Sequence, residues 1–567
     1  MNHFDRLHNK AIGFFDGSDP RNNVVSLIQR HMVERPDEIA FKWPDRDKLP
    51  QWNDKIVNGL AHQQITFRQF FGLVCLTAGG LKKIGVKKGD RVIIFLPMSI
   101  PLYQTMAAVQ MIGASVVFLD SWARRDQLGI SAEIADASAM ISFEMAFELC
   151  KGAPQMEKIP IRVVVGPHHG KYTATLDEIQ KSEPCAQVEA VGGNETALIT
   201  FTTGSSGRPK GADRTHDFLA AQHYALHECI PYTREDLDLP AFPIFSLNNL
   251  AEGVMTVIPV IDIGRPSDKD SLMLASQILS LGITCATLSP SMMVGLANFC
   301  AQNNVVMPKV RRFITGGAPI SNETIALMKK AVPNAQIWVL YGSTEVEPIA
   351  HIEANDILNP KHSGGEGVCV GHFAEGLETK FIKIRKDNLS LQNDDWSKLE
   401  VPAGEVGELL VAGLHVCKSY FNDPEAVERA KVIESNGKVW HRTGDLTYLD
   451  KTGNLWLVGR VHNAIARGDR MLFPVKVEMM MKKIDGVKQS AFLGVPDKEL
   501  GEKAYALFQL DEGARSRKNE ILNRIARELK NEKIPFDYLD SVDSIPMDPR
   551  HHSKVEYAVL RDQLFKK

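Results

Sequence analysis

An α/β fold is predicted for this chain, with a large N-terminal domain of layered α/β subdomains and a small β-rich subdomain, followed by a mobile α+β C-terminal domain. Three observations lead to this prediction. The 567 residues exceed what one hydrophobic core usually holds, so the chain should divide into domains. Short apolar strands alternate with helical segments along most of the chain. The composition then changes twice, over residues 376–440 and again after Arg460.

Composition and charge narrow the function classes. The chain is 44% hydrophobic and 24% charged, like ordinary globular proteins, and its formal charge of −3 gives no overall attraction to nucleic acid. No apolar run approaches the ~20 residues of a membrane-spanning helix, and the N-terminus lacks the apolar segment of a signal peptide. The eight cysteines are scattered, without a Cys-x-x-Cys pair. We therefore expect a cytoplasmic protein with reduced thiols; peripheral contact with a membrane stays open for an apolar substrate.

The N-terminal part alternates between helices and strands. Alternation of this kind is typical of layered α/β folds, in which helices connect parallel strands. The predicted segments are a helix from Asn23 that ends at Pro36, a strand over 39–43, a helix that follows Ile65-Thr66-Phe67 and runs through Leu81, a strand over 91–96, a helix through Ile112 and a strand over 115–119.

A polar, glycine-rich loop follows the buried strand predicted over 197–201. Its sequence is Thr202-Thr203-Gly204-Ser205-Ser206-Gly207-Arg208-Pro209-Lys210-Gly211. Glycines let backbone N–H groups approach an anion, hydroxyls add donors, and Lys210 adds a mobile positive charge. A flexible surface loop is the alternative, but it would not need Pro209 and Lys210. The predicted phosphate ligands are Thr202, Thr203, Gly204, Ser205, Ser206, Gly207 and Lys210, in a loop that is not a Walker P-loop.

Three later segments place distinctive residues near strand ends. Segment 239–249 is apolar and interrupted by prolines, which favours a buried strand and a turn. The strand over 312–315 leads into Gly316-Gly317-Ala318-Pro319, where glycines without side chains would let a flat ring pack against the backbone. The strand over 337–340 leads into Tyr341-Gly342-Ser343-Thr344-Glu345, which joins a stacking surface to a carboxylate. Because hard oxygen ligands suit Mg²⁺ on nucleotide phosphates, Glu345 is the predicted metal ligand.

The last third of the chain predicts two further units. Short alternating strands over 376–440 indicate the small β-rich subdomain. Beyond Arg460, a new alternation of strands and helices begins, including a helix rich in Lys, Arg and Glu. We therefore predict an N-terminal domain over 1–460, a hinge at 461–463 and a C-terminal lid domain over 464–567.

Taken in order, these motifs resemble the adenylate-forming enzymes: acyl-CoA synthetases, fatty acyl-AMP ligases, luciferases and the adenylation domains of peptide synthetases. The resemblance extends from residue 65 to residue 554, nearly the whole chain. It implies ATP and Mg²⁺ as cofactors and a reaction that converts a carboxylic acid into an acyl-AMP with release of pyrophosphate. Such chemistry drives two anions together, so alignment and charge stabilisation supply most of the catalysis.

The resemblance also implies a role for each matched residue. Asp445 and Arg460 would bind the ribose, and Lys554 would bridge the substrate carboxylate and the α-phosphate. Lys554, Glu345 and Thr344 are therefore the predicted catalytic residues. The predicted adenine contacts are Gly316, Gly317, Ala318, Pro319 and Tyr341. The acyl pocket is predicted beside Phe245, Ser246 and Asn248.

Two departures from the common pattern resemble one branch of the family. Ser246 stands where many acyl-CoA synthetases have a histidine, and the tail Arg550-His551-His552-Ser553-Lys554 replaces a Gly-Lys ending. Both features are similar to the β-lactone synthetases of long-chain olefin biosynthesis, which close a β-hydroxy acid onto itself through an acyl-AMP. The resemblance implies a long-chain 3-hydroxy fatty acid as substrate and other enzymes of a lipid pathway as partners.

Two alternatives stay open. A long-chain fatty acyl-CoA synthetase or acyl-AMP ligase is the first, and Gly468, near where the CoA enzymes place a glycine after the hinge, keeps CoA as a candidate second substrate. An adenylate-fold protein that has lost catalysis is the second, and Lys210, Glu345, Asp445 and Lys554 argue against it. The base that would deprotonate a β-hydroxyl is not predicted.

Overall fold

The computed structural model describes residues 22–45, 48, 56–57, 59–119, 125–203, 208–261, 268–359, 365–391, 395–547 and 554–565. Four predicted phosphate ligands, Gly204, Ser205, Ser206 and Gly207, lie outside the described residues, and so does the tail segment 548–553.

Strands and helices alternate through most of the described chain. The strands are β1 Ile39–Pro44, β2 His62–Thr66, β3 Arg91–Phe95, β4 Ser115–Phe118, β5 Ala139–Ser142, β6 Ile161–Val164, β7 Ala174–Thr175, β8 Thr196–Thr203, β9 Pro209–Thr215, β10 Leu237–Pro240, β11 Met255–Val257, β12 Cys285–Leu288, β13 Arg312–Gly316, β14 Gln336–Ser343, β15 Val346–Glu353, β16 Val368–Phe373, β17 Glu378–Ile382, β18 Gly407–Ala412, β19 Lys431–Ile433, β20 Val439–Leu449, β21 Leu455–Arg460, β22 Ile465–Arg467, β23 Arg470–Leu472, β24 Val487–Asp497, β25 Gly501–Leu510 and β26 Tyr538–Ser541. The helices are α1 Val25–Glu34, α2 Phe67–Lys83, α3 Ile100–Met111, α4 Arg125–Ala135, α5 Glu144–Leu149, α6 Pro154–Glu157, α7 Leu176–Ile179, α8 His216–Cys229, α9 Pro243–Glu252, α10 Asp268–Leu281, α11 Pro290–Asn303, α12 Asn322–Ala331, α13 Ala354–Ile357, α14 Pro424–Ala430, α15 Pro474–Lys482, α16 Lys518–Asn531 and α17 Tyr557–Phe565, with 3₁₀ turns at Val461–Asn463 and Glu512–Arg517.

The N-terminal half contains a sheet of seven strands in the order β7-β6-β5-β3-β4-β8-β9. Its strands are parallel up to β8, and β9 returns antiparallel to β8. Side chains alternate along β3, so Val92 and Ile94 pack with α2 and α3, whereas Ile93 and Phe95 pack with α4 and α5. Helices therefore cover both faces, as a parallel sheet requires.

A larger sheet of fourteen strands follows the order β17-β18-β20-β21-β16-β15-β14-β13-β12-β10-β11-β1-β2, with β19 paired to β20. The strands β10, β12, β13 and β14 are parallel, and β15 begins an antiparallel region. The structure contains strands within 376–440, as predicted, and they belong to this antiparallel region. The region joins the parallel strands of the sheet where β16 pairs with β15. The predicted adenine residues and the turn with Thr344 and Glu345 lie at the carboxyl ends of β13 and β14.

The chain beyond residue 464 has its own sheet and its own core. Its five strands follow the order β23-β22-β25-β24, with β26 on β25, and Phe492 and Phe508 pack with Ile525 of α16. A salt bridge of 3.2 Å between Lys476 and Glu366 connects this unit to the larger sheet. We propose the 3₁₀ turn at Val461–Asn463 as the hinge between the two units.

One predicted element is wrong. The segment 239–249 was expected to be a strand and a turn, but only its start belongs to a strand, β10, and Pro243–Glu252 forms helix α9. Pro243 takes the first helical position, where its missing N–H costs nothing, and Gly253 ends the helix in the left-handed conformation with φ +78°. The predicted acyl-pocket residues therefore lie on a helix.

None of the helices in the described ranges combines the length and the apolar character that crossing a membrane requires.

Candidate active site

The predicted phosphate loop connects two antiparallel strands. Thr202 of β8 pairs with Lys210 of β9, and Thr203 pairs with Pro209, so the two ends of the predicted loop lie side by side. Lys210 is half-buried, and its Nζ lies 5.8 Å from the centre of the Tyr420 ring. Burial and the charge of Arg429 lower the pKa of Lys210. This places the predicted phosphate lysine at the mouth of the loop, beside an aromatic face.

Thr344 and Glu345 form the turn of a second hairpin. Ser343 of β14 pairs with Val346 of β15, which leaves these two residues as the connection. The guanidinium of Arg214 donates hydrogen bonds of 2.7 and 3.2 Å to the Thr344 carbonyl oxygen. The backbone N–H of Cys417 donates to the Glu345 carbonyl oxygen at 2.7 Å. Both carbonyl groups of the turn are thus fixed by other elements.

The Glu345 carboxylate is held by groups that favour its charge. The Tyr420 hydroxyl donates a hydrogen bond of 2.7 Å to its Oε1. Burial raises the pKa of Glu345, but nearby groups outweigh that effect and hold the pKa at about 2. These groups are His441, which is protonated at such low pH, the charge of Lys431 and the Tyr420 hydroxyl. Glu345 is therefore an anion at any physiological pH.

Lys431 is the buried cation of this cluster, with 4% of its surface exposed. Its Nζ donates to the Cys417 carbonyl oxygen, lies 3.2 Å from His441 Nδ1, and lies 5.2 Å from the centre of the Tyr420 ring. Burial lowers the pKa of His441 to about 3, so that imidazole is neutral at pH 7. The Tyr420 ring is therefore close to two lysines, Lys210 and Lys431, and its hydroxyl donates to the Glu345 carboxylate.

Tyr341, Asp445 and Arg460, predicted separately as adenine and ribose residues, meet in one cluster. The Tyr341 hydroxyl donates to Asp445 Oδ2 at 2.7 Å, and Arg460 Nε lies 2.9 Å from Asp445 Oδ1. Arg460 Nη2 also donates to the Thr443 carbonyl oxygen at 3.0 Å. Burial and the Asp445 charge hold the pKa of Tyr341 well above its ordinary value, so its hydroxyl remains a donor.

The predicted adenine segment lies beside this cluster, at the end of β13. Gly316 is the last residue of the strand, and a Cβ there would lie 2.5 Å from the Leu340 carbonyl oxygen of β14. Gly317 has φ +92°, a conformation that favours glycine. Close packing and backbone conformation therefore account for the two glycines without a ligand. Contact of Ala318 and Pro319 with adenine remains a prediction.

The predicted acyl-pocket residues point in different directions from α9. Phe245 packs in an apolar cluster with Ile314 and Leu340, near the ends of β13 and β14. Ser246 is fully buried, and its Oγ accepts a hydrogen bond of 2.9 Å from the Tyr103 hydroxyl. Asn248 Oδ1 lies 2.9 Å from His223 Nδ1 on α8. Their role at the acyl chain remains a prediction.

Lys554 lies in the C-terminal unit and is exposed. An isolated bridge between Met547 and Val555 and a hydrogen bond of 2.8 Å from the Glu556 N–H to the Pro546 carbonyl hold its neighbours, and α17 follows. Leu560 of α17 packs against β24. The lysine is thus attached to the core of its own unit, and its catalytic role remains a prediction.

Four residues of this site escaped the sequence prediction: Arg214, Tyr420, Lys431 and His441. Arg214 carried a signal, because it shares the inward side of β9 with Ala212, and a charged residue at a buried strand position is uncommon. Lys431 and His441 are cross-strand partners of β19 and β20, a proximity that sequence spacing alone does not indicate.

We expect Asp445→Asn to weaken ATP binding by about 10- to 100-fold, because a hydrogen bond to a charged group contributes about 1.5–3 kcal/mol. The substitution removes the charge that Arg460 pairs with, and it keeps the side chain's shape. Calorimetric titration with ATP measures the change. Asp497→Asn, at a carboxylate that pairs with Lys503, is the matched control and should bind ATP like the wild type. If Asp445→Asn also binds ATP with wild-type affinity, Asp445 does not contact the ribose.

A family model described as AMP-binding enzyme matches residues 28–421, more than half of the chain. The chain belongs to this family. It is therefore an AMP-forming, acid-activating enzyme, and the predicted resemblance to adenylate-forming enzymes is confirmed.

Two curated relatives of the enzyme carry the same description, olefin beta-lactone synthetase. The protein from Stenotrophomonas maltophilia (strain K279a) is 31% identical over 488 residues, which cover 83% of this chain and 85% of that protein. The protein from Xanthomonas campestris pv. campestris is 30% identical over 488 residues, which cover 83% of this chain and 84% of that protein.

Solved structures confirm the predicted fold class. The amide bond synthetase McbA from Marinactinospora thermotolerans aligns with a TM-score of 0.76 at 21% identity, over 96% of this chain and 100% of that one. The o-succinylbenzoate CoA synthetase MenE from Bacillus subtilis, solved with the acyl-adenylate OSB-AMP, aligns with a TM-score of 0.74 at 20% identity, over 95% of this chain and 97% of that one. At these identities the likeness concerns the fold alone.

Proposed function

We propose that this enzyme activates a long-chain 3-hydroxy carboxylic acid as an acyl-AMP and closes it to a β-lactone, with release of pyrophosphate and AMP. The observation that carries the proposal is the identity of about 30% to two olefin β-lactone synthetases over most of the chain. Ser246 and the tail that ends at Lys554 support the same branch.

Adenylation requires a site that tolerates two anions. Lys210 would face the phosphates at the mouth of the loop, since it lies on the hairpin directly after the loop. Lys431 is buried beside the Tyr420 ring, so its charge would act on the phosphates through electrostatic attraction rather than by direct contact. Asp445 and Arg460 would fix the ribose and so align the α-phosphate with the substrate carboxylate. Lys554 would place its charge on the carboxylate side and offset the repulsion as the oxygen attacks phosphorus.

The residues of the β14–β15 turn fit a Mg²⁺ ion. Glu345 is ionised, and the turn that carries it is fixed by Arg214 and Cys417. In nucleotide sites Mg²⁺ takes one or two carboxylates and otherwise binds water and phosphate oxygens. When bound, the ion would neutralise charge on the departing pyrophosphate. Glu345 would hold it, and Thr344 would lie beside it.

The β-lactone proposal is tested by incubating the enzyme with ATP, Mg²⁺ and either a 3-hydroxy acid or an unsubstituted acid of equal length, with and without CoA. We expect β-lactone, AMP and pyrophosphate from the hydroxy acid without CoA, because the β-oxygen is already tethered to the activated carbonyl. The unsubstituted acid is the matched control and should stop at the acyl-AMP. Mass spectrometry distinguishes the products.

Thioester formation is the second candidate, because Gly468 has φ +62° in the turn between β22 and β23 and leaves its surroundings open. A glycine near this place is implied by the resemblance to CoA enzymes. Efficient acyl-CoA formation from both acids, without lactone, would overturn the lactone proposal in favour of an acyl-CoA synthetase.

A further inference from the structure

Glu478 of α15 connects three elements of the C-terminal unit through one side chain. Its Oε1 accepts a hydrogen bond of 2.9 Å from the backbone N–H of Phe492 on β24. The same oxygen accepts a hydrogen bond from the hydroxyl of Tyr557, the first residue of α17. The Ser490 hydroxyl of β24 donates to the Glu478 backbone carbonyl oxygen at 2.8 Å. The adenylation chemistry described above gives this carboxyl group no role.

The strand β24 can accept these contacts because, in the described part of the chain, it is the last strand of its sheet. An edge strand leaves backbone N–H and C=O groups without a strand partner. Glu478 accepts from the Phe492 N–H, and the Gly494 carbonyl oxygen accepts from Arg561 Nε of α17 at 3.3 Å. Residues two apart in a strand direct these groups to the same edge. Helices α15 and α17 therefore meet along one edge of β24.

The Glu478 carboxyl group depends on its donors because it is poorly hydrated. Burial raises its pKa to about 7, although the Tyr557 hydroxyl and the Phe492 N–H lower it. A polar group that leaves water without a hydrogen bond destabilises the fold. A carboxyl oxygen can accept a hydrogen bond whether the group is ionised or protonated, so the contact with Tyr557 needs no particular protonation state.

The contact between Tyr557 and Glu478 lies next to the segment that carries Lys554. Lys554 precedes Tyr557 by three residues. The bridge from Val555 to Met547 and the hydrogen bond from Glu556 to Pro546 are local, since they join the two ends of one segment. The Tyr557 hydrogen bond instead spans 79 residues of sequence to reach α15. It therefore fixes the start of α17 relative to another part of the unit.

Helix α15 also contacts the sheet that carries the predicted ribose residues. It packs on β21, the strand that ends at Arg460. Lys476 of the same helix forms the 3.2 Å salt bridge to Glu366. Direct contacts thus lead from β21 through α15 and Tyr557 to the segment with Lys554.

We infer that Glu478 is a positioning residue for Lys554, an inference that rests on the adenylation role proposed for that lysine. By holding Tyr557, Glu478 sets where the segment with Lys554 lies relative to α15 and to the ribose end of β21. Alignment of a charged group with the reacting atoms supplies much of a rate enhancement, and a small displacement removes it. Glu478 would act through Lys554 and would not contact the substrate.

The test measures exchange of pyrophosphate into ATP with a 3-hydroxy fatty acid, for wild type, Tyr557→Phe, Glu478→Gln and Glu478→Ala. Tyr557→Phe removes only the hydroxyl and keeps the ring that packs with β24. Tyr538→Phe is the matched control, because it removes a hydrogen bond of 3.3 Å from a tyrosine to Asp540 in the same unit. Tyr557→Phe is also combined with Lys554→Ala, and thermal unfolding of each variant reports its stability.

We expect Tyr557→Phe and Glu478→Ala to lower kcat by about 10- to 100-fold without a change in KM for ATP, because the charge of Lys554 is displaced. Glu478→Gln should lose less, since its amide oxygen still accepts from Tyr557. Tyr538→Phe should exchange like wild type. In the Lys554→Ala background Tyr557→Phe should cause no further loss, whereas an effect on the fold alone would slow that variant as well.

The inference is overturned if Tyr557→Phe exchanges like wild type while Lys554→Ala is slow. It is also overturned if Tyr557→Phe slows the Lys554→Ala variant by the same factor as wild type, because the hydroxyl then acts independently of the lysine. If Lys554→Ala itself exchanges like wild type, the role proposed for Lys554 fails, and the inference fails with it.

Discussion

Replacing Lys554 with alanine is expected to lower the rate of acyl-AMP formation by about 10²–10³-fold, the scale for losing one charge-stabilising donor. ATP binding should change little. Lys210, Asp445 and the turn with Glu345 belong to the two sheets before residue 461, whereas Lys554 belongs to the C-terminal unit. The rate loss should therefore appear in kcat rather than in the affinity for ATP.

The measurement is acid-dependent exchange of pyrophosphate into ATP, with calorimetric titration of ATP beside it. Lys530→Ala, at an exposed lysine of α16, is the control for a general change of charge in the same unit and should exchange like wild type. Wild-type exchange in Lys554→Ala would refute the assignment. An equal loss in both variants would trace the effect to the unit as a whole.

Most of the N-terminal elements were predictable because their signals are local. The strand β3 is an apolar run between turns, and α2 is preceded by Thr66, whose side chain exchanges capping hydrogen bonds with Gln69. Such a cap contributes about 1 kcal/mol to stability and depends only on residues that are close in sequence. Prediction from sequence succeeds where the deciding interactions lie within one or two helical turns.

Helix α9 was mispredicted because its sequence carries two conflicting signals. The segment begins with apolar residues and a second proline, Pro240, as a buried strand end does. The helical signals, Pro243 at the start and Gly253 at the end, lie ten residues apart, as α9 is ten residues long. The helix is covered on two sides, against α3 through the hydrogen bond to Ser246 and against β14 through Phe245, so its sequence does not divide into one apolar and one polar face.

The active site was predictable as a set of motifs and not as an electrostatic arrangement. Tyr341, Asp445 and Arg460 were each assigned to the nucleotide, and the structure joins them by hydrogen bonds. The Tyr420 hydroxyl reaches Glu345 across a separation of 75 residues, and Lys431 is still further along the chain, so no motif near Glu345 contains them. Interactions at long sequence separation are the ones that sequence spacing leaves undetermined.

Removing the Glu345 carboxylate should both slow adenylation and raise the Mg²⁺ requirement. We expect Glu345→Ala to lose about 10²–10³-fold in rate, because one ligand of the charge-stabilising metal is gone. Glu345→Gln should lose less and should regain part of its rate at high Mg²⁺, since its amide oxygen still accepts from Tyr420 and remains a weak metal ligand. The alanine variant should regain less, because it keeps no side-chain oxygen to bind the metal or to accept from Tyr420.

The measurement is pyrophosphate exchange as a function of free Mg²⁺ for wild type, both Glu345 variants and Tyr420→Phe. The phenylalanine variant is the matched control, because it removes the 2.7 Å hydrogen bond to Glu345 and keeps the carboxylate. It should exchange more slowly than wild type with an unchanged Mg²⁺ midpoint. If the Mg²⁺ curves of the two Glu345 variants coincide with that of wild type, Glu345 only balances Lys431 and anchors Tyr420, and the metal is held elsewhere.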